Sequence, residues 1–277
     1  MSVTNIEVKE ETQKKQGAFS LKLLKFELVN LSSSIMVLIF SVIYPIGMTL
    51  LFSFVFGTPE GNSTVIHTGI FLQMIFTIPL ASMLMGNALN YATEIENGSA
   101  LRTKLFGFKD KTMLLAKLLA NLIFLTIAVG IYSLVIGLAL DVAAPSVGAL
   151  FTFIIFFYIF STAVFILGHA IATMCGRFGV TFGIVMALYF GIMILGGSMG
   201  IRPDQMPNGM RHIAMGLPLY WIASYFTDFW KGGSFDFVPL ILTTIGFVIL
   251  SVGLFVLAVV LKKKGKIKEG ARPVYYD

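Results

Sequence analysis

Six long apolar stretches alternate with short polar segments along the chain. They are the windows 34–56, 69–90, 118–140, 147–174, 179–198 and 237–261. A helix that crosses the roughly 30 Å hydrocarbon core of a bilayer needs about 20 apolar residues, and each window is long enough. None contains Asp, Glu, Lys or Arg, whose side chains cost about 2.5–3.5 kcal/mol at mid-membrane on insertion scales. The pattern predicts an all-α polytopic membrane protein with six transmembrane helices.

Composition excludes several other classes of protein. The chain is 57% hydrophobic and 12% charged, whereas a soluble domain carries about a quarter of its residues as charges. The net charge of +6 lies in short segments between apolar runs, so no soluble basic face for a nucleic acid is expected. Cys175 is the single cysteine, which leaves no basis for an intrachain disulfide or a cysteine metal cluster.

The basic residues predict the direction of the six spans. Seventeen of the 20 Lys and Arg residues lie on one side of the predicted membrane: before the first span, in the second and fourth connections, or after the sixth span. The connections on the other side hold only three, Arg202, Arg211 and Lys231. Cytoplasmic segments carry such an excess, so both termini are predicted to be cytoplasmic. Residues 1–17 are expected to be a disordered leader, and residues 262–277 a basic tail that meets anionic lipid.

Residues 18–33 form a polar and apolar mixture just before the first span. Their leucines recur at helical spacing, at Leu21, Leu24, Leu28 and Leu31, while Lys22 and Lys25 fall elsewhere. This spacing predicts an amphipathic helix in the cytoplasmic interface. A simple extension of the first span remains the alternative. Pro45 and Pro79, inside the first and second spans, are expected to kink them.

The connection between the second and third spans combines both signs of charge with two leucines. Glu94 and Glu96 come first, the Asn97-Gly98 pair follows, and a short helical stretch then carries Leu101 and Leu105. A short helix of this kind at the end of two spans suits docking to a soluble partner. An ordinary charged loop that obeys the positive-inside rule fits the spacing equally well.

At this connection the chain resembles the membrane subunit of type-2 ABC exporters, the permease family of drug, polysaccharide and antibiotic-resistance exporters. These permeases have an interfacial helix, six spans, and a first cytoplasmic loop of the form acidic–x–acidic–x–Gly–Ser/Thr–x–x–x–Leu that leads into a lysine. Glu94, Glu96, Gly98 and Ser99 follow this pattern, and Leu105 and Lys117 lie roughly where it has the leucine and the lysine. The family often has a proline after the leucine, where this chain has Gly107-Phe108. Between the fifth and sixth spans, Met206-Pro207 and Leu217-Pro218-Leu219-Tyr220 resemble the family's helical hairpin on the outer face.

The resemblance implies a coupling helix that contacts a separate ATPase subunit. The residues it assigns there are Glu94, Glu96, Asn97, Gly98, Ser99, Leu101, Arg102 and Leu105. The sequence has no GxxxxGK[ST] phosphate loop, so ATP and magnesium are expected on the partner, and this chain is expected to be no enzyme and to bind no cofactor or metal. Two permease copies with two ATPases are implied. An outer gate is implied at Pro207, Pro218, Tyr220 and Trp221, with a passive lid as the alternative.

Two further features lie within the predicted spans. Small residues recur every four positions in the fifth span, at Gly179, Gly183, Ala187 and Gly191. Such a stripe lets another helix approach closely, and the spacing leaves open whether that helix belongs to the same subunit or to a second permease. His169 is the one side chain within the windows that titrates near neutral pH. A hydrogen bond to a neighbour and a functional role are both open for it.

The functional hypothesis is the permease of an ATP-driven exporter in a bacterial cell membrane. Its cargo would be lipophilic or amphipathic, such as a drug, an antimicrobial peptide or a lipid-linked molecule, because the windows are uncharged. A secondary transporter or channel is one alternative, although such carriers usually need acidic residues in the membrane. A membrane sensor or scaffold that docks a soluble partner is another, and it would stimulate the partner without moving cargo.

Overall fold

The structure, a computed structural model, describes residues 21–57, 63–199 and 206–264, and within these ranges every regular element is a helix. Six helices are long and apolar enough to cross a membrane, and each overlaps one predicted window, so the predicted number is confirmed. These spans, first to sixth, are Ile35–Phe56, Ser63–Glu96, Asp110–Ala139, Val147–Cys175, Phe178–Leu195 and Phe237–Lys263. The predicted leader, residues 18–20, Arg202 and the tail beyond residue 264 lie outside the described residues.

Four shorter helices complete the described chain. They are Leu21–Ser32 before the first span, Ser99–Leu105 between the second and third, and Asn208–Ala214 and Pro218–Trp230 between the fifth and sixth. The first two lie at the end of the bundle that also carries residues 262–264, which we name the lysine-rich end. The other two lie at the opposite end.

Two spans extend further toward the lysine-rich end than the charge-free windows predict. The second continues to Glu96 and the third begins at Asp110, eight residues before the predicted start. Lys117 is therefore inside a helix and buried, and the expectation that no span contains a charge is wrong at this position. Helical hydrogen bonds do not end where the lipid ends, and a buried ammonium is tolerated when carboxylates surround it.

The second span lies at the centre of the bundle. Within the most apolar window of each span, 83% of the second span's residues are buried, against 22–44% in the other five. Buried aromatic and aliphatic side chains from the third, fourth and fifth spans pack around it, including Phe124, Phe160 and Val185. Any displacement of this helix therefore affects most of the membrane-spanning core.

Neither of the first two spans is a regular α-helix. A π-helical segment, Ile39–Ile43, precedes Pro45 in the first span, and a second one, Leu80–Gly86, follows Pro79 in the second. Proline lacks the N–H that would continue the α-helical hydrogen bonds. Prolines and π-helical turns, whose hydrogen bonds span one residue more than those of an α-helix, are both recognised causes of helix kinks. The predicted proline distortions therefore take the form of π-helical turns.

Just before Pro79, the second span is interrupted by a turn at residues 75–76. Carbonyl groups near this break are satisfied by side chains. The Tyr132 hydroxyl donates to Phe71 O at 3.2 Å, the Ser198 hydroxyl to Gln73 O at 3.1 Å, and the Thr77 hydroxyl to Met74 O at 2.7 Å. Polar backbone atoms inside a bilayer require such partners, so the break is held in place by the third span and by the turn that follows the fifth.

The fourth span approaches the second most closely at Gly168. A Cβ atom on this residue would lie 2.8 Å from Leu84 O and 3.2 Å from Leu84 Cα. Both neighbours belong to the backbone of the π-helical segment, so they cannot rotate away. Glycine at this position is what allows the two helices to pack at this distance.

We predict that Gly168→Ala destabilises the protein by about 1–3 kcal/mol, because the added methyl group forces the second and fourth spans apart. Thermal unfolding in detergent measures the effect. The matched control is Gly130→Ala in the third span, where a Cβ meets no described atom within 4 Å. The control should be neutral or slightly stabilising, since alanine favours a helix. Equal unfolding temperatures for the two variants would contradict the proposed close packing.

Candidate functional site

The chain turns sharply between the second span and the short helix Ser99–Leu105. Gly98 has a φ of 70°, in the left-handed region that glycine adopts without strain. Its N–H donates to Ile95 O at 3.2 Å, and the Ser99 hydroxyl donates to Glu94 O at 3.2 Å. These bonds satisfy the last carbonyls of the second span. The Asn97-Gly98-Ser99 sequence therefore sets the direction of the short helix.

The short helix ends in an equally defined way. Gly107 has a φ of 90°; its N–H donates to Lys104 O at 2.9 Å, and the N–H of Phe108 donates to Thr103 O at 3.4 Å. This pair of bonds is the Schellman arrangement that stops a helix. The Gly107-Phe108 pair thus terminates the helix at a place where the resembling permeases often have a proline.

The outer surface of the short helix is apolar and open. None of its residues is buried; Leu105 is 79% exposed and the following Phe106 is 73% exposed. Leu101 and Arg102 are also exposed. Phe106 was not among the residues predicted from the sequence, because the repeat of leucines drew attention to Leu101 and Leu105 alone. Together these four residues form a patch, the loop patch, suited to contact with another surface.

Glu94 points away from the loop patch and into the protein. Lys117 Nζ donates to Glu94 Oε1 at 2.5 Å and to Glu27 Oε2 at 3.0 Å. The side chains of Lys117 and Glu27 are 5% exposed and that of Glu94 is 19% exposed. The three groups, which we name the Lys117 cluster, join the helix Leu21–Ser32, the end of the second span and the start of the third.

Glu96 points to a different neighbour. Its Oε2 accepts a hydrogen bond from the backbone N–H of Phe178 at 2.8 Å. Phe178 is the first residue of the fifth span, where unpaired N–H groups and the helix dipole favour a negative charge. The two acidic residues therefore connect the end of the second span, just before the short helix, to the third and fifth spans.

The helix Leu21–Ser32, which we name the interfacial helix after its predicted place, has one face toward the rest of the chain and one open face. Its buried face consists of Leu23, Glu27 and Leu31, whereas Leu21 is 78% exposed. The predicted leucine stripe is therefore divided between the two faces, and its contact with the membrane interface stays a prediction. The helix turns Glu27 inward because its carboxylate bonds to Lys117, a long-range contact that the leucine spacing does not reveal.

Burial determines the protonation chemistry of Glu27. Loss of water around its carboxyl raises the pKa, and the nearby Glu94 charge raises it further, while the Coulomb attraction and hydrogen bond of Lys117 oppose this. The second carboxylate oxygen, Oε1, is buried and has no hydrogen-bond partner among the described residues. Glu27 is thus a buried acid with only one of its two oxygens paired.

The small-residue stripe of the fifth span faces away from the rest of the chain. A Cβ built on Gly179, Gly183 or Gly191 would meet no described atom within 4 Å, and Ala187 is exposed. The stripe is therefore not used for close packing between the described helices of this chain.

The helical hairpin at the opposite end is fixed by hydrogen bonds. Arg211 Nε donates to the hydroxyl of the buried Tyr220 at 3.2 Å, and Trp221 Nε1 donates to Met215 O at 3.0 Å. Pro207 and Pro218 precede or begin the two helices, as proline's fixed φ favours. Of the predicted gate residues, Tyr220 and Trp221 thus contact the helix Asn208–Ala214 and the residue after it.

The far end of the hairpin is tied to the connection between the third and fourth spans. Trp230 Nε1 donates to Ala143 O at 2.8 Å, and Trp230 O accepts from the N–H of Ser146 at 2.8 Å. This anchor was not predicted from the sequence.

His169 and Asn87 fill the contact between the second and fourth spans. Asn87 Nδ2 donates to Phe165 O at 3.3 Å. The His169 ring is buried and stacks on Tyr91 with centroids 4.0 Å apart. Its Nδ1 has no hydrogen-bond partner in the described part of the chain, and the stacked ring of Tyr91 is a close contact of the imidazole. The described residues contain no group of three or more His, Cys, Asp or Glu side chains that could hold a metal ion.

The family model described as ABC-2 type transporter matches residues 21–229. This match includes the interfacial helix, the first five spans, the loop patch and both helices of the hairpin. A comparison with curated proteins gives no match.

We predict that Lys117→Gln destabilises the protein by about 3–5 kcal/mol, because it removes the buried positive charge that the carboxyl groups of Glu27 and Glu94 share. Adding Glu27→Gln should restore much of the loss, and thermal unfolding in detergent measures both. Lys104→Gln is the control: Lys104 Nζ lies 3.1 Å from Asp110 in a much more exposed pair, worth at most about 1 kcal/mol. If the Lys117 and Lys104 variants lose equal stability, the cluster is not a buried ionic network.

Proposed function

The chain belongs to the ABC-2 type transporter family and is a multi-pass permease subunit of an ABC transporter, and from this premise we propose that it exports a lipophilic or amphipathic molecule. In this proposal a separate ATPase subunit hydrolyses ATP, and its movement enters the permease through the loop patch. The sharpest support is the arrangement of Glu94 and Glu96, which bind the end of the second span, next to the short helix, to two other spans.

The proposed coupling begins at the exposed side of the short helix. Leu101, Leu105 and Phe106 offer apolar side chains with no role in this chain's own core, and Arg102 adds a positive charge. A groove in a soluble partner would bury these apolar groups at about 1.5–3 kcal/mol for each large side chain. The loop patch is therefore proposed as the docking surface, with Leu105 and Phe106 at its centre.

Movement of the short helix would then spread by two routes. Glu94 pulls on Lys117 and, through it, on the interfacial helix and the third span. Glu96 pulls on the first turn of the fifth span. The roles that we propose for Glu94 and Glu96 are thus in transmission of force, while contact with the ATPase is left to the residues beyond Asn97-Gly98.

A second permease copy is proposed to pack on the fifth span. The stripe at Gly179, Gly183, Ala187 and Gly191 is open in this chain, and association of helices in lipid depends on close van der Waals packing at small residues. A cargo path between two copies follows from this arrangement. Whether the second copy is identical or a paralogue is decided by the same measurement that tests the stripe.

The hairpin at the opposite end is proposed as the outer gate, with both termini of the chain in the cytoplasm. Tyr220 and Trp221 lie at the start of the helix Pro218–Trp230, whose other end is tied to the third and fourth spans through Trp230. We propose that the Pro207 and Pro218 side of the hairpin moves while the Trp230 side stays in place.

We base the proposed class of cargo, and the proposed outward direction of transport, on the distribution of charge along the chain. The charged residues of the six spans all lie at the lysine-rich end, and the remainder of each span is uncharged. A drug, an antimicrobial peptide or a lipid-linked molecule suits such a path. A secondary transporter would draw on acidic groups along its path, so movement of cargo driven by an ion gradient without an ATPase would favour that alternative.

We predict that Leu105→Ser weakens capture of an ATP-binding partner about tenfold to a hundredfold, because the docked leucine contributes about 1.5–3 kcal/mol. The measurement is co-purification of the partner with the tagged full-length chain in mild detergent. Folding should be unaffected, since Leu105 is exposed in this chain.

Ile213→Ser is the matched control for this experiment. Ile213 is likewise an exposed aliphatic residue on a seven-residue helix, Asn208–Ala214, but lies at the opposite end of the bundle. Capture should persist in this variant. If wild-type chain of full activity co-purifies with no ATP-binding protein, the proposed function is wrong; stimulation of ATP hydrolysis without cargo movement would instead indicate a sensor or scaffold.

We predict that Gly183→Leu largely abolishes pairing of two permease copies, because the side chain prevents close helix approach. Native mass spectrometry in mild detergent measures the fraction of paired chains. Gly253→Leu in the sixth span is the control, since a Cβ at either glycine meets no described atom within 4 Å. Unchanged pairing in Gly183→Leu would place the stripe against lipid rather than against a second copy.

A further inference from the structure

The Lys117 cluster contains two carboxyl groups and one ammonium group. If all three are ionised, the cluster has an excess of one negative charge in a place where the Lys117 and Glu27 side chains are only 5% exposed. Burial of an unbalanced charge is costly, and proteins usually remove the cost by binding a proton. One of the two carboxyl groups of the cluster is therefore expected to bind a proton.

Glu27 is the member on which the excess charge is least stable. Its side chain is more buried than that of Glu94, its hydrogen bond to Lys117 is longer, and its Oε1 is buried without a partner among the described residues. Glu94 has the shorter bond to the ammonium and some access to water. A proton shared by the cluster is therefore expected on Glu27.

The charge on Glu94 affects this proton directly. Both carboxylates bind the same ammonium group, Lys117 Nζ. When Glu94 is docked, its negative charge offsets part of the attraction between Lys117 and Glu27. It also repels a negative charge on Glu27. When Glu94 leaves, Lys117 and Glu27 become a balanced pair, and the ionised form of Glu27 is favoured.

We propose that Glu27 is a proton-binding site whose affinity for the proton rises when Glu94 docks on Lys117. Because such coupling is reciprocal, protonation of Glu27 stabilises the docked position of the loop by the same free energy. This linkage holds for the isolated permease. Its consequence for transport, that acidification favours the docked loop during the ATPase cycle, rests on the proposed function.

The other charged groups near Glu27 do not replace Glu94 in this linkage. Lys117 and Glu94 are the charges that act on its carboxyl. Lys22 and Lys25 belong to the same helix but are exposed. The helix Ile35–Leu38, which packs against the interfacial helix, has no titratable side chain. His169 interacts electrostatically with Lys117 and not directly with Glu27.

The direct test is an infrared pH titration of the purified full-length chain in detergent. The carboxylic acid C=O band of Glu27 is identified by its loss in Glu27→Gln. We expect Glu94→Gln to shift the midpoint of this band to lower pH by about one unit, because a like charge has been removed. Glu96→Gln, which leaves the Lys117 cluster intact, should not shift it. An unchanged midpoint in Glu94→Gln, or no band that is lost in Glu27→Gln, overturns the proposal.

A second measurement uses only variants with an intact Lys117–Glu94 pair. A group whose pKa is raised in the folded state adds stability at pH values below its ordinary pKa, which is 4.5 for Glu27. This stability is lost as the pH rises through the folded-state pKa. The wild-type chain should therefore lose thermal stability relative to Glu27→Gln as pH rises from about 4.5. A pH-independent difference overturns the proposal. Neither measurement includes an ATPase, so failure here is separate from failure of partner capture.

Discussion

The buried ammonium group of Lys117 is the constraint on which the lysine-rich end depends. An ammonium taken out of water loses several kcal/mol of solvation, and only charged partners at hydrogen-bond distance recover it. Glu27 and Glu94 provide those partners from two other parts of the chain. The interfacial helix and the first loop therefore cannot move independently of the third span without exposing or stranding a charge. A bilayer strengthens this constraint, because it offers no water to a group that has lost its partner.

Different interactions stabilise the two ends of the bundle. At the opposite end the buried contacts are neutral hydrogen bonds and aromatic packing, such as Trp230 with Ala143 and Phe153 with Trp230, and the ion pair Lys231–Asp228 is largely exposed. Such contacts can be remade over small displacements, since burial of a charge is not involved at these residues. Between the ends lies the second span, buried and interrupted near its middle. A displacement of its charged end is thus carried into the core of the bundle, where the break and the π-helical segment allow the helix to change shape.

The sequence predicts the six spans because a membrane helix must be apolar over a fixed length, whatever its neighbours are. It fails where a residue's role depends on a contact from far along the chain. Glu27 lies 90 residues from Lys117, and the spacing of the leucines around it carries no sign of this contact. The family pattern identified Glu94 and Glu96, but their partners, an ammonium and a helix N-terminus, follow from how the third and fifth spans pack. Phe106 was missed because an exposed aromatic residue beside a loop has no periodic signal.

The spacing of the two loop glutamates has a geometric reason. Both lie on the last turn of the helix Asn87–Glu96, and residues two apart on a helix point to nearly opposite sides. One carboxylate can therefore reach the third span while the other reaches the fifth. Glutamates three or four apart would share one face and bind a single neighbour. A single helical turn thus bonds to two spans. The short helix that carries the loop patch follows this turn directly along the chain, after Asn97-Gly98. The acidic–x–acidic pattern is, in this protein, a way to attach one exposed surface to two membrane helices.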